Sequence, residues 1–314
     1  MKMTRFNTYC MSGAVLSVLL LVSCRREENV NFQPVGLAVE AVSDTASVAA
    51  GSLAGYQDVG NAAAIAVFGG FEETAVLAER LLTADKFDNV DAKARPDGLP
   101  DFAGETVMPV FDMVNAPYAG YISSMNENFV RETAVKGFLS ALSGHCASSA
   151  FDHGHSAVKP RAKIVILSSS LMSGYGSRDI EYIIRNAGLS AGVLNPVESA
   201  VTHVLFKADS ASNIGVWAAN EIVSSGVYGN AFRDIRSECG NRHSEKYLEW
   251  AGTSEIVCLS PDYGPDADEN VRSFFDAYLS ANYHTPLSGV IIDDFTRACD
   301  VDSLNVALNG ILLS

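Results

Sequence analysis

Three serines in a row, Ser168-Ser169-Ser170, close one apolar run (Lys163 to Leu167), and two aspartates, Asp293-Asp294, close another (Val290 to Ile292). A serine hydroxyl is a weak acid, so Ser168 needs a neighbouring general base before it can carry a proton or attack. No histidine lies within its motif. A carboxylate such as Asp294 becomes a useful base toward carbon only where desolvation raises its pKa. Adjacent residues on a strand point opposite ways, so one of the two aspartates is expected in a cleft and the other in solvent. Backbone N–H groups of Ser168 to Ser170 can hold a carboxylate if a helix starts there; a plain loop or helix cap is the equal alternative. Further polar or small residues follow other apolar runs: Gly69 and Gly70, then Asn115, Pro117 and Tyr118, then Asn220.

The elements that position these residues follow a rhythm of short apolar runs and amphipathic stretches. Strands are expected over Ala63 to Phe68, Val107 to Phe111 (weakened by Pro109), Lys163 to Leu167, Ala191 to Leu194, Asn213 to Trp217, Ile256 to Leu259 and Val290 to Ile292. Helices are expected over Glu72 to Leu82, Phe129 to Leu142, Asp179 to Asn186, Glu198 to Phe206, Asn220 to Ile235, Asp268 to Leu279 and Ser303 to Leu312. Continuous apolar strands between helices indicate an α/β fold whose parallel sheet is covered on both faces. Ligands of such folds bind where loops leave the carboxyl ends of strands, which is where every residue above lies. Asp85 to Thr106 and Gly144 to Arg161 read as surface insertions. His145-Cys146 and Asp152-His153-Gly154-His155, inside the second, lack zinc-like spacing and read as polar surface loop. The acidic group Asp262, Asp266, Asp268 and Glu269 reads as the start of a helix.

The chain has 314 residues with a formal charge of −15. A positive n-region (Lys2, Arg5), an apolar stretch from Gly13 to Val22 and Leu21-Val22-Ser23-Cys24 stand in the order of a bacterial lipoprotein signal. The apolar stretch, about ten residues long, is too short to span a bilayer. This order makes residues 1–23 a removable signal and Cys24 a lipidation site, followed by a tether over 24–62 in which Pro34 to Val39 could add an edge strand. Loss of residues 1–23 removes Lys2 and Arg5 and no acid, leaving −17. So acidic a chain disfavours nucleic acid as a partner. Cys146, Cys239, Cys258 and Cys299 could pair in three ways or stay free.

Read in order, the strand-end loops resemble those of the cofactor-independent glutamate racemases, within the aspartate/glutamate racemase superfamily. Ile65-Ala66-Val67-Phe68 and Thr74-Ala75-Val76-Leu77 match the family's first strand and helix, with its Asp-Ser pair falling on Gly69 and Gly70. Asn115-Ala116-Pro117-Tyr118-Ala119 stands where the family has Ala-Arg-x-Pro-Tyr-Gly. Val165-Ile166-Leu167-Ser168-Ser169-Ser170 stands for Val-Ile-Ala-Cys-Asn-Thr. Gly192-Val193-Leu194-Asn195-Pro196 and Ile214-Gly215-Val216-Trp217-Ala218 through Tyr228 match two further motifs. Val290-Ile291-Ile292-Asp293-Asp294 stands for Val-Ile-Leu-Gly-Cys. The collinear stretch runs from Ile65 to Leu312.

The resemblance implies a two-lobed pair of parallel-sheet α/β/α sandwiches, one lobe formed by 63–190 plus 290–314 and the other by 191–289. It implies no cofactor and no metal. The family's two cysteine thiols, one a base and one an acid on opposite faces of the substrate's α-carbon, fall on Ser168 and Asp294 here. Ile222 replaces a threonine hydroxyl. Ordinary glutamate racemisation is therefore not expected. Three functions stay open: an envelope protein binding a small carboxylate or amino acid through Gly69, Gly70, Asn115, Pro117, Tyr118, Ser169, Ser170 and Asn220; an isomerase or lyase using Asp294 with Ser168 on another carbon acid; and an interaction protein without a small ligand. The oligomeric state is open.

Overall fold

A computed structural model describes residues 32–56, 59, 63–91, 93–149, 151–152, 154–207, 213–238, 246–252, 287–293 and 308. The expected leader, Cys24, the expected strand at 256–259, the expected helix at 268–279, Asp294 and all but one residue of the last expected helix lie outside them. The fold is α/β with parallel sheets. One has four strands: β1 (Ala64–Gly69), β2 (Val107–Phe111), β5 (Ala162–Leu167) and β6 (Gly192–Leu194), in the order β2-β1-β5-β6. A second has three: β7 (Asn213–Ala219), β8 (Lys246–Gly252) and β9 (Leu287–Asp293), in the order β8-β7-β9. All pairings in both are parallel. A hairpin of β3 (His145–Cys146) and β4 (Ala157–Val158) rises from the second insertion.

β1 is buried at every position, because consecutive side chains serve opposite faces of a sheet covered on both. Ile65 and Val67 join Ile164 and Ile166 of β5 under Leu77 and Leu81 of α3 (Phe71–Thr83). Ala66 and Phe68 face the other way, toward Val135 and Phe138 of α5 (Glu127–Leu142) and Met172 and Ile180 of α6 (Ser170–Ala187). β2, which contains Pro109, is only partly buried and takes the edge, the position where a missing N–H costs no ladder bond.

Three expectations need correction. β6 pairs with β5 and β9 pairs with β7, so the division into 63–190 plus 290–314 and 191–289 does not follow the strand pairing. Strand order depends on tertiary packing that no local run encodes. Pro34 to Val39 adds no strand: α1 (Gly36–Ser43) starts there and is followed by α2 (Val48–Leu53). Ala38 and Ala41 of α1 are buried, and small side chains at helical spacing let it lie close on the core. The helix expected from Asp179 starts earlier, at Ser170, so the Ser/Gly stretch before Asp179 is the first half of α6. A Cβ on Gly176 would stand 2.3 Å from Ala134 Cβ of α5, so its low helix propensity is overridden by a helix–helix approach only glycine permits.

The chain enters this body at Phe32. Asp179, fully buried on α6, pairs with Arg131 of α5 at 2.8 Å and accepts the Val35 N–H at 2.8 Å. Arg131 also donates to the Gln33 carbonyl and lies over the Phe32 ring.

Candidate functional site

The carboxyl ends of β1, β2 and β5 stand side by side. Ser168 follows β5 and is fully buried. Its Oγ lies 2.8 Å from Thr74 Oγ1 on α3 and 3.1 Å from the Phe68 carbonyl oxygen, to which it donates. Its backbone N–H donates to the same carbonyl at 2.8 Å. The arrangement that satisfies all three groups is a relay in which Thr74 donates to Ser168 and Ser168 donates to Phe68. The hydroxyl's one proton is then committed to a main-chain carbonyl. A Cβ on Gly69 would lie 2.0 Å from the Ser168 Oγ, and one on Gly70 would lie 3.1 Å from Ala116 Cβ. Gly69 and Gly70 are therefore empty of side chain because Ser168 and the loop after β2 occupy that space.

The loop after β2 is organised by Asp112, a residue sequence reasoning passed over. Its Oδ1 accepts the Val114 and Asn115 N–H groups and the Asn115 side-chain amide at 3.0–3.2 Å, and its Oδ2 accepts the Tyr118 hydroxyl at 3.1 Å. Asp followed by backbone donors two and three residues on is a local turn that the spacing Asp112 to Asn115 could have revealed. Tyr118 is buried, and burial, reinforced by the Asp112 carboxylate, pushes its phenol well above the usual range. Asn115 is half-buried, and Pro117, behind a cis Ala116–Pro117 bond, is exposed. Glu73, in the first turn of α3, is held above the ordinary carboxyl pKa chiefly by burial, against a hydrogen bond from Gly70. Its Oε2 is buried without a hydrogen-bond partner.

Ser169 caps α6, its Oγ accepting the Met172 N–H at 3.5 Å. Ser170 turns to the second sheet and donates to Asp293 Oδ2 at the end of β9. Tyr228, on α9 (Val227–Glu238), donates to the same oxygen at 2.8 Å. Asp293 is 3% exposed; Asp294 lies outside the described residues. Asn195, after β6, caps α7 (Pro196–Lys207) by accepting the Val197 and Glu198 N–H groups. Asn220 opens α8 (Asn220–Ser225) and is exposed.

The structure thus brings Gly69, Gly70, Asn115, Tyr118, Ser168, Ser169 and Ser170 to one edge of the first sheet and joins Ser170 to the strand end of the second. The described strand-end segments 69–71, 112–118, 168–170, 195–196, 220 and 293 contain carboxylates and hydroxyls but neither Lys nor Arg. No group of three or more His, Cys, Asp or Glu able to hold a metal occurs among the described residues. No helix among the described residues is long and apolar enough to cross a membrane.

No family model and no curated protein matches the chain. Solved structures similar to it include a glutamate racemase, isoform RacE1, from Bacillus anthracis, at 11% identity and a TM-score of 0.45 over 80% of this chain and 73% of that one. Glutamate racemase from Aquifex pyrophilus is similar at 15% identity and a TM-score of 0.40, over 80% and 83% of the two chains. Picrophilus torridus aspartate racemase is similar at 12% and 0.42, over 80% and 94%.

Proposed function

We propose that the protein is a lipid-anchored envelope protein, related to the aspartate/glutamate racemases, that binds a small amino acid or carboxylate at the meeting edge of its two sheets without racemising it. The observation that carries the reading is the contact of Ser170 and Tyr228 with Asp293, which joins strand ends of both sheets at one place. The collinear motifs from Ile65 onward support the ancestry, and Leu21-Val22-Ser23-Cys24 supports the anchor. The absence of Lys and Arg from the described strand-end segments favours an amino acid over a simple acid. The two carboxylates in those segments, Asp112 and Asp293, are buried acceptors, and an ammonium group suits their charge better than a simple carboxylate does. Ser168 argues against the two-thiol reaction: its proton is donated to a main-chain carbonyl, and no described base faces it.

Thermal denaturation against a panel of L- and D-amino acids and short organic acids tests this. A ligand present at a hundred times its Kd stabilises the folded state by about 2.7 kcal/mol. An amino acid should raise the unfolding temperature, and Asp293→Asn should remove that rise. A flat response across the panel would refute the binding reading.

The second reading is an isomerase or lyase acting on another carbon acid, with Asp294 and Ser168 in the altered positions. The alignment of Val290-Ile291-Ile292-Asp293-Asp294 with the family's Val-Ile-Leu-Gly-Cys, which sets Asp294 on a thiol position, supports it. Incorporation of solvent deuterium into a substrate, lost in Asp294→Asn, is its signature.

A further inference from the structure

The domain carries exposed apolar side chains at the same edge as its strand ends. Met113 and Val114, in the loop after β2, are 69% and 85% exposed, and Met125, just before α5, is 93% exposed. After the short helix α4 (Ala119–Ser123), α5 is the helix that carries the chain back from β2 to β5; the end of a strand and the start of its crossover helix lie on one edge, so these three residues share it. The entering chain is there too. Phe32 and Gln33 rest on Arg131, which is four residues, or about 6 Å of helix rise, from the start of α5.

The length of the preceding chain fixes what this edge can reach. Seven residues, 25–31, separate Cys24 from Phe32, and the eight steps between the two span at most about 28 Å when fully extended. A compact body of about 200 residues, the size of the described part, is roughly 43 Å across. A lipid on Cys24 therefore cannot let the far side of the domain turn to the bilayer. The side that carries Phe32 is held against it. An acidic chain gains nothing from anionic headgroups, so apolar contact must supply the attraction. The tether raises the local concentration enough for a few side chains to suffice.

We propose that the edge bearing Met113, Val114 and Met125 is the protein's membrane-facing surface, with these side chains seated in the lipid headgroup layer. The proposal rests on acylation of Cys24, as set out above. It places the strand-end site on the membrane side of the domain.

The test uses the full lipidated protein in vesicles of phosphatidylcholine and phosphatidylethanolamine, labelled by hydroxyl radicals and read by mass spectrometry. The reference is the same protein with a flexible Gly/Ser insertion of roughly thirty residues after Asn29, long enough to free the domain. Val90, Phe151 and Val158 are 92%, 88% and 82% exposed; they lie between the end of a helix and the start of the next sheet strand, β2 or β5, which puts them at the opposite edge, so they serve as controls. The expected result is several-fold lower labelling of Met113, Val114 and Met125 with the native tether, and unchanged labelling of the three controls. Equal labelling with both tethers, or protection of the hairpin instead, overturns the proposal. The mass of the N-terminal peptide separates the two levels: an acylated Cys24 with equal labelling sinks the orientation alone, whereas an unmodified Cys24 sinks the anchor and the orientation together.

Discussion

If the Ser168 hydroxyl is a structural group, its energetic partner is Thr74, and the two substitutions must be coupled. Thr74→Val keeps shape and removes the donor to Ser168. Ser168→Ala removes the acceptor and leaves the Thr74 hydroxyl buried without its partner. Both side chains are essentially inaccessible, and their oxygens are 2.8 Å apart. Leaving one buried polar group unsatisfied costs about 1–3 kcal/mol, whereas replacing both partners by apolar groups of similar shape is far less damaging. Ser168→Ala should therefore cost about 2 kcal/mol, and adding Thr74→Val should recover a large part of it. In a protein of this size about 1 kcal/mol corresponds to roughly 2–4 °C in the unfolding midpoint. The single variant should melt visibly earlier and the double variant between it and wild type. Calorimetry on the four proteins of the cycle measures the coupling directly. Strict additivity, or a Ser168→Ala protein as stable as wild type, would refute the relay. It would return Ser168 to the list of groups free to do chemistry.

Other consequences follow from the same contacts. Gly69→Ala places a methyl where the Ser168 hydroxyl stands, 2.0 Å away; overpacking of this kind costs about 1–3 kcal/mol, and urea unfolding should show a lower midpoint at an unchanged slope. Asp179→Ala strands Arg131 and the Val35 N–H, so a loss of about 3 kcal/mol is expected, together with new proteolytic cleavage between residues 32 and 45; Asp179→Asn should keep more of both. Glu73 has a folded-state pKa raised above its ordinary 4.5 by burial. Its folded form holds the proton more tightly than the unfolded chain, so it opposes folding above the raised value and this penalty fades as pH falls toward 4.5. Glu73→Gln should stabilise the protein at neutral pH and lose that advantage at acid pH; equal unfolding temperatures at pH 7.5 and 4.5 relative to wild type would contradict the burial argument.

Much of the first sheet was legible because burial on both faces leaves a continuous apolar run. β2 spans the expected Val107 to Phe111, and β1 and β5 lie within a residue of theirs. Strand polarity also located the strand-end residues before any packing was known. What escaped the sequence depended on tertiary contact. β8 reads Lys-Tyr-Leu-Glu-Trp-Ala-Gly, too polar to signal a central run, and among the described strands it stands at an edge, which does not need one. The early start of α6 was masked by glycines whose value lies in what packs against them. Asp112 was overlooked because its carboxylate serves its own loop. That Asp293 is buried depends on the register of β9 against β7, where Asp293 stands opposite Ala218. No local pattern chooses between two adjacent aspartates.

The account stands most directly on whether amino acids meet chemistry in this site or only binding. Proton NMR of L- and D-glutamate and L- and D-aspartate in deuterium oxide, with the protein present at substrate-like concentration, follows the α-proton signal. The account predicts that the signal persists as in buffer alone, while the unfolding temperature responds to a bound amino acid. Loss of the α-proton at a rate proportional to protein, abolished by Ser168→Ala, would contradict it.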